Sequence, residues 1–192
     1  MRVTRVQAEE NRQKVINVAS RLFRERGFDG IGLKDVMEGA GMTQGAFYKQ
    51  FSSKEDLITQ ASARALETTT RKCLAAIANN PEDPLGAVMA YYLSKEHRDE
   101  VMDGCPMVAL ASDAVRQGAG VKASFEAGIK AHLNVLQSSI FAAGDKRPDS
   151  KAMAILSMMV GALLLSRVVN DSVLAQAFLD TAVEQVREVA SS

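Results

Sequence analysis

An excess of charge of either sign is missing from this sequence: its 192 residues carry 23 Lys and Arg against 23 Asp and Glu. Bulk charge therefore points to no nucleic-acid partner, and only the distribution of charge could. Residues 1–60 hold ten basic against eight acidic side chains, a mildly basic front compatible with a phosphate-facing surface. Cysteine is scarce as well. Cys73 and Cys105 give neither a disulfide framework nor a metal-ligand spacing. The chain opens Met1-Arg2-Val3-Thr4-Arg5 and has no apolar signal-peptide core there. Its one strongly apolar run, Ala152 to Ser166, is 15 residues long and stops at Arg167. A membrane span needs about 20 residues, so this run predicts a packing helix, no membrane partner and a cytoplasmic protein. A Gly-rich phosphate loop, a metal-ligand cluster and a nucleophile motif are all missing. The two histidines, His97 and His132, lack sequence partners. No catalytic residue, metal or cofactor is expected, and the chain is not expected to be an enzyme.

What is present is helical periodicity, with almost no strand alternation. Val15, Val18, Ala19, Leu22 and Phe23 form one apolar stripe, closed by Gly27. Leu33, Val36, Met37 and Ala40 repeat that spacing over a shorter helix ended by Gly41. Thr43 can cap a third short helix running through Phe51. Ser52 and Glu55 read as a capping box that starts a long helix reaching about Asn79. Beyond Pro81 and Pro84 comes a helix through Val88, Met89, Tyr91 and Tyr92. Another starts at Pro106 and ends at Gly118 or Gly120. A long stripe follows from Val121 to Ile140, closing near Gly144, then a polar loop over 144–149. Helices near 149–169 and 172–189 finish the chain. The fold class is all-α, with about nine helices: three short ones, then six longer ones.

Residues 33–51 have the layout of a helix-turn-helix. Ala40 allows close approach, Gly41 accepts a positive φ, Met42 plugs the junction and Thr43 caps the next helix. Gln44, Gly45, Tyr48 and Lys49 then face outward, while Ala46, Phe47 and Phe51 turn inward. Gln44-Gly45-Ala46 is thin enough to enter a major groove about 12 Å wide, where Gln pairs well with adenine. Thr43, Tyr48 and Lys49 supply phosphate donors or a cation, and Lys54 adds charge beside free N–H groups of a helix start. By spacing alone, the same stretch fits a tight helical corner with a solvated Lys and Tyr equally well.

The stretch from Gly32 to Leu57 resembles the DNA-binding signature of the tetracycline-repressor (TetR/AcrR) family: Ala40-Gly41-Met42-Thr43, then Tyr48, Phe51, and Lys54 followed by Leu57. Leu22-Phe23 and Gly27-Phe28 match upstream. The resemblance implies that Thr43, Tyr48 and Lys54 contact phosphate, that Gln44 and Gly45 face bases, and that Lys49 does either. It departs at Gly32, where the family often carries a hydroxyl cap, and at Met37, where a smaller residue is common. Arg2 and Arg5 are either a basic arm onto DNA or a solvated terminus.

The resemblance further implies a DNA-binding domain over 1–53 and a ligand-binding and dimerisation domain over 54–192. The expected activity is that of a transcriptional regulator, a repressor released from a palindromic double-stranded DNA operator by a small molecule. The last two helices would pair in a homodimer. Ile155, Leu156, Met159, Val160, Leu163 and Leu164 are apolar over more than one helical face, in accord with that pairing. A dimer sets two readers about 34–36 Å apart on successive grooves. Met89, Tyr91, Tyr92, Met107, Phe125, His132, Met158 and Met159 suit an apolar or aromatic ligand, or plain core. His132 shares a face with Phe125, Ile129 and Leu136. Cys105, in Gly104-Cys105-Pro106, would sit at a helix start where the dipole lowers a thiol pKa. This makes it a candidate ligand contact or, alternatively, an electrophile or redox sensor.

Overall fold

A computed structural model describes residues 4–140 and 148–192 of the chain; Arg2 and most of the 144–149 loop lie outside them. The fold is all-α. Helix α1 (Arg5–Arg26) starts where Thr4 Oγ1 accepts the Gln7 N–H at 3.2 Å, and stops at Gly27, whose φ of 74° an L side chain rarely adopts. At 22 residues it is no short helix. Its stripe buries Val15, Ile16, Ala19 and Phe23, with Val18 and Leu22 packed alongside.

Helix α2 (Leu33–Gly39) begins at Gly32, whose N–H donates to the Asp35 carboxylate at 3.2 Å. The third segment, Gln44–Lys49, is a 3-10 helix. Helix α3 (Lys54–Asn79) ends where the periodicity predicts but begins one residue later. Ser53, not Ser52, is its cap, accepting from Asp56 N–H at 3.0 Å. Ser52 instead donates both its N–H and its hydroxyl to the Asp56 carboxylate. Two adjacent serines offer the same chemistry, and Asp56 answers both, so Glu55 has no part in the cap.

Helix α4 (Pro84–Tyr92) is capped by Asp83, and a short helix α5 (Lys95–Asp99) by Ser94. The α5 segment, Lys-Glu-His-Arg-Asp, has no apolar period and gives no signal in the sequence. Helix α6 (Pro106–Ala114) stops before either glycine predicted to end it. Gly120 lies inside the next helix, α7 (Ala119–Ile140). Helices α8 (Pro148–Val168) and α9 (Ser172–Ser191) form an antiparallel pair whose junction Asp171 caps.

The long α3 is the spine. It packs on α1 at one side and on α4 and α7 at the other, while α8 packs on α7 and α9. One hydrophobic core runs from Val15 and Phe47 through Leu66 and Tyr92 to Leu163 and Val186. Helix α8 has the length and composition to cross a membrane. It buries Ala152, Ile155, Leu156, Met159 and Leu163 inward and leaves Met153, Leu164, Leu165 and Val168 outside.

Candidate functional site

The turn between α2 and the 3-10 segment is built by backbone hydrogen bonds around one glycine. Gly41 has φ 71°, its N–H donates to Glu38 O, and Met42 N–H reaches back to Met37 O, both at 2.8 Å. Ala40, fully buried, lets the two segments close on each other. Phe47 is also fully buried; its ring stacks on Phe51 with centroids 5.4 Å apart and meets Tyr48 edge-on at 5.1 Å. That aromatic anchor fixes which way the segment faces. Thr43, Gln44, Gly45, Tyr48 and Lys49 are all exposed on its outer side, Tyr48 by 73%. Thr43 makes no side-chain cap bond.

Lys54 is placed differently from its neighbours. Half-buried, its ammonium donates to Ile31 O at 3.0 Å and braces the loop before α2. Arg12, on α1, braces the same segment. Its guanidinium lies 5.3 Å from the Phe51 ring centroid and donates to Gln50 O. Sequence inspection misses Arg12, because the ring it covers is far along the chain and no local spacing links the two. Arg5 begins α1 and is exposed.

The candidate ligand residues lie elsewhere and in another state. Met89, Tyr92, Cys105, Met107, Phe125, His132 and Met159 are all buried. Of these seven, Phe125 lines an open groove. That groove, about 610 Å³, runs between α6 and α7 past Val115, Ile129 and Leu133. Tyr91 and Met158 are half-buried beside the core.

Burial also decides the thiol chemistry. Cys105 does cap α6, but it is fully buried, and desolvation raises its pKa. Nearby Tyr92, the Val108 and Met107 N–H groups and Arg167 pull the other way and do not prevail. The thiol is protonated, contrary to what its helix-start position suggests. Cys73 is pushed up to about 12 by the same burial.

His97, without partners in the sequence, has two in the fold, and both are backbone groups. Cys105 N–H donates to Nε2 at 3.0 Å, which puts the ring proton on Nδ1, donated to Tyr92 O at 2.7 Å. Tyr91 stacks on its ring. Burial lowers its pKa to about 4, so it is neutral at pH 7. His132 spends Nδ1 on Gly128 O and Thr70 Oγ1, and its buried Nε2 has no partner. The hydroxyl of Tyr91 is likewise unpartnered.

Residues 15–61 match the family described as bacterial regulatory proteins, tetR family. The chain is 34% identical over 88 residues to the HTH-type transcriptional regulator TtgR of Pseudomonas putida. That stretch is 46% of this chain and 42% of TtgR, so the chain matches about two fifths of that relative's length. A TetR-family transcriptional regulator from Cytophaga hutchinsonii superposes with a TM-score of 0.83 at 18% identity, covering 96% of this chain and 95% of its own. AibR, solved with isovaleryl coenzyme A and operator DNA, superposes at 0.62 and 17% identity, over 89% and 97% of the two chains. The matched segment contains the turn, the aromatic anchor and the exposed outer face, and over that segment the chain is similar to the bacterial regulatory proteins of the tetR family.

Proposed function

We propose that this chain is a cytoplasmic, homodimeric transcriptional regulator that binds a palindromic operator through residues 1–53 and leaves it when residues 54–192 take up a small molecule. The observation that carries the reading is the exposed row Thr43, Gln44, Gly45, Tyr48 and Lys49, held outward by the buried Phe47 and Phe51. Gln44 and Gly45 meet base edges, Thr43 and Tyr48 meet phosphates, and Lys49 serves either. Lys54 acts on DNA mainly by bracing the Ile31 carbonyl rather than as a free phosphate cation.

Dimerisation uses the outer faces of α8 and α9. Six of the large apolar side chains left exposed in the chain are there: Met153, Leu164, Leu165, Val168, Val173 and Leu174. A patch of this kind marks a partner surface. The presence of both an acyl-coenzyme A and operator DNA in AibR supports a two-ligand scheme. Here the ligand is apolar or aromatic and enters among Met89, Tyr92, Met107, Phe125, His132 and Met159. It shifts α3, which packs on α1 as well as on α4 and α7, and so changes the spacing of paired readers. A coupling of about 1–3 kcal/mol releases DNA by roughly 5- to 150-fold. Sensing through Cys105 is the weaker reading, since a protonated, fully buried thiol is a poor nucleophile.

Selecting bound duplexes from a random library tests the reading. Wild type should enrich one palindrome, and Gln44→Ala/Lys49→Ala should bind it at least ~10-fold more weakly. Recovery of no common sequence by wild type would remove the basis for sequence-specific regulation.

A further inference from the structure

The turn that launches the helix-turn-helix is fastened from outside its own segment. Phe28 follows Gly27, just past the last backbone bond of α1, in which Gly27 N–H donates to Phe23 O. The Phe28 ring is buried against Phe23. Its N–H donates to Asp113 Oδ2 at 3.2 Å, a side chain 85 positions away on the last turn of α6. The other oxygen of that carboxylate, Oδ1, takes the Arg116 guanidinium, which fixes its orientation. The fit is close. A Cβ on Gly27 would stand 2.8 Å from Asp113 Oδ2, so glycine there serves the carboxylate as well as its own positive φ.

The stretch leading into α6 is fastened to α1 too. Arg24 is buried, and its guanidinium donates to Gly104 O and to Ser20 O, each at 3.0 Å, and pairs with Asp103 at 3.6 Å. Arg21 pairs with the same carboxylate at 3.1 Å, and Lys72 of α3 donates to Asp103 O at 2.9 Å. Helix α6 is thus tied to the last turns of α1 before it starts and to the following turn where it ends. Cys105 and Met107, two of the candidate ligand residues, lie between these ties.

We infer that Asp113 is a positioning residue for the reader: by holding the Phe28 N–H, a carboxylate of the C-terminal bundle makes α6 a second determinant, beside the continuous α3, of where the recognition segment points. The inference rests on the DNA-reading proposal for its consequence, but the attachment itself can be measured without DNA. A displacement of α6 at Cys105 or Met107 has to drag the 27–32 loop with it or break the Asp113 bond. The 27–32 loop is held on its far side by Lys54 through Ile31 O, so α2 and the reader turn with it.

The test compares full-length wild type with Asp113→Ala and Asp113→Asn. Asparagine keeps an oxygen that can accept from Phe28; alanine does not. In Asp113→Ala, amide exchange over residues 28–39 should accelerate at least ~10-fold while α8 and α9 exchange as in wild type, as expected when one local tie opens. The selected operator should bind ~10-fold more weakly, and asparagine should restore both to within about 3-fold. Linkage adds a readout that a mere prop would not move: operator should slow exchange in α6 of wild type but not of Asp113→Ala. Unchanged exchange at 28–39 in the alanine variant overturns the inference. So does faster exchange with wild-type operator affinity and undiminished protection of α6. If wild type binds no duplex at all, the DNA-reading proposal fails separately, and the exchange comparison still decides whether Asp113 holds the turn.

Discussion

In the first 53 residues the side chains with chemistry to offer stand outside a small aromatic core, whereas in the bundle they are folded into it. Tyr48 is 73% exposed and its neighbour Phe47 not at all, so the outer face of the segment is preformed and the proposed contact with a duplex needs no rearrangement of it. Tyr92, Cys105 and His132 sit in the buried interior, with an orphaned polar atom at His132. A ligand bound among them has to open the core and repack it. Repacking shifts helices, which is what an effector has to do. In the proposed scheme the reader is therefore the rigid end and the bundle the one that has to deform, and their coupling is a matter of which helices connect the two.

The largest effect should come from the outer face of α8. In the proposed dimer, Leu165→Glu/Val168→Glu sets carboxylates from both protomers in an apolar interface, where each unpaired charge costs several kcal/mol. Sedimentation should find a dimer dissociation constant raised at least ~1000-fold, about 4 kcal/mol. Far-ultraviolet dichroism should be unchanged, because both side chains already face outward in the single chain. A variant that stays dimeric would move the interface away from α8 and leave that apolar face unexplained.

Acid should separate the two regions next. Both histidines of the chain, His97 and His132, lie in the bundle and none in residues 1–53. The pKa of His97 falls to about 4 on folding, chiefly by burial, against about 6.5 when unfolded, and that of His132 is lowered for the same reason. The unfolded chain thus takes up protons first. Stability is full above about pH 6.5 and declines as pH falls toward 4, by roughly 3 kcal/mol for His97 alone. Urea titrations from pH 7 to 4 should show this slope, and His97→Gln should flatten it. Amide exchange should find the bundle loosening before the reader; the reverse order would mean that the 1–53 segment is the deformable end.

How much of this is legible in the sequence follows the same division. The turn Ala40-Gly41-Met42-Thr43 and the pair Phe47 and Phe51 announce themselves because their constraints are local: a positive φ, a cap position, a helical spacing. Helix α3 is legible to its last residue but misplaced by one at its start, since Ser52 and Ser53 compete for the same residue, Asp56. Helix α5 leaves no trace, being held by the Ser94 cap and by Arg167, which donates to the carbonyls of His97 and Arg98 from about 70 positions away. His97 escapes notice for the same reason. Its partners are the Tyr92 carbonyl and the Cys105 N–H, and backbone groups carry no signature in a sequence. Asp113 reads as one more surface acid of a short helix until the Phe28 N–H is seen beside it.

The smallest effect is the most pointed, because it asks why one residue is bare. Gly45 lies in the reader without a positive φ, and a Cβ built on it meets nothing within 4 Å. Neither backbone conformation nor internal packing calls for glycine there. An alanine in a helical segment is favoured over glycine by about 0.5–1 kcal/mol, so Gly45→Ala should leave the melting temperature unchanged or raise it slightly. The same methyl group would project from the exposed face, beside Gln44, that approaches the groove in the proposed complex. Operator affinity should therefore fall several-fold while stability holds, a split that separates contact with DNA from support of the fold. If the alanine variant binds the operator as wild type does, the groove does not come close at Gly45, and the outward face of the reader has to be redrawn around Gln44, Tyr48 and Lys49.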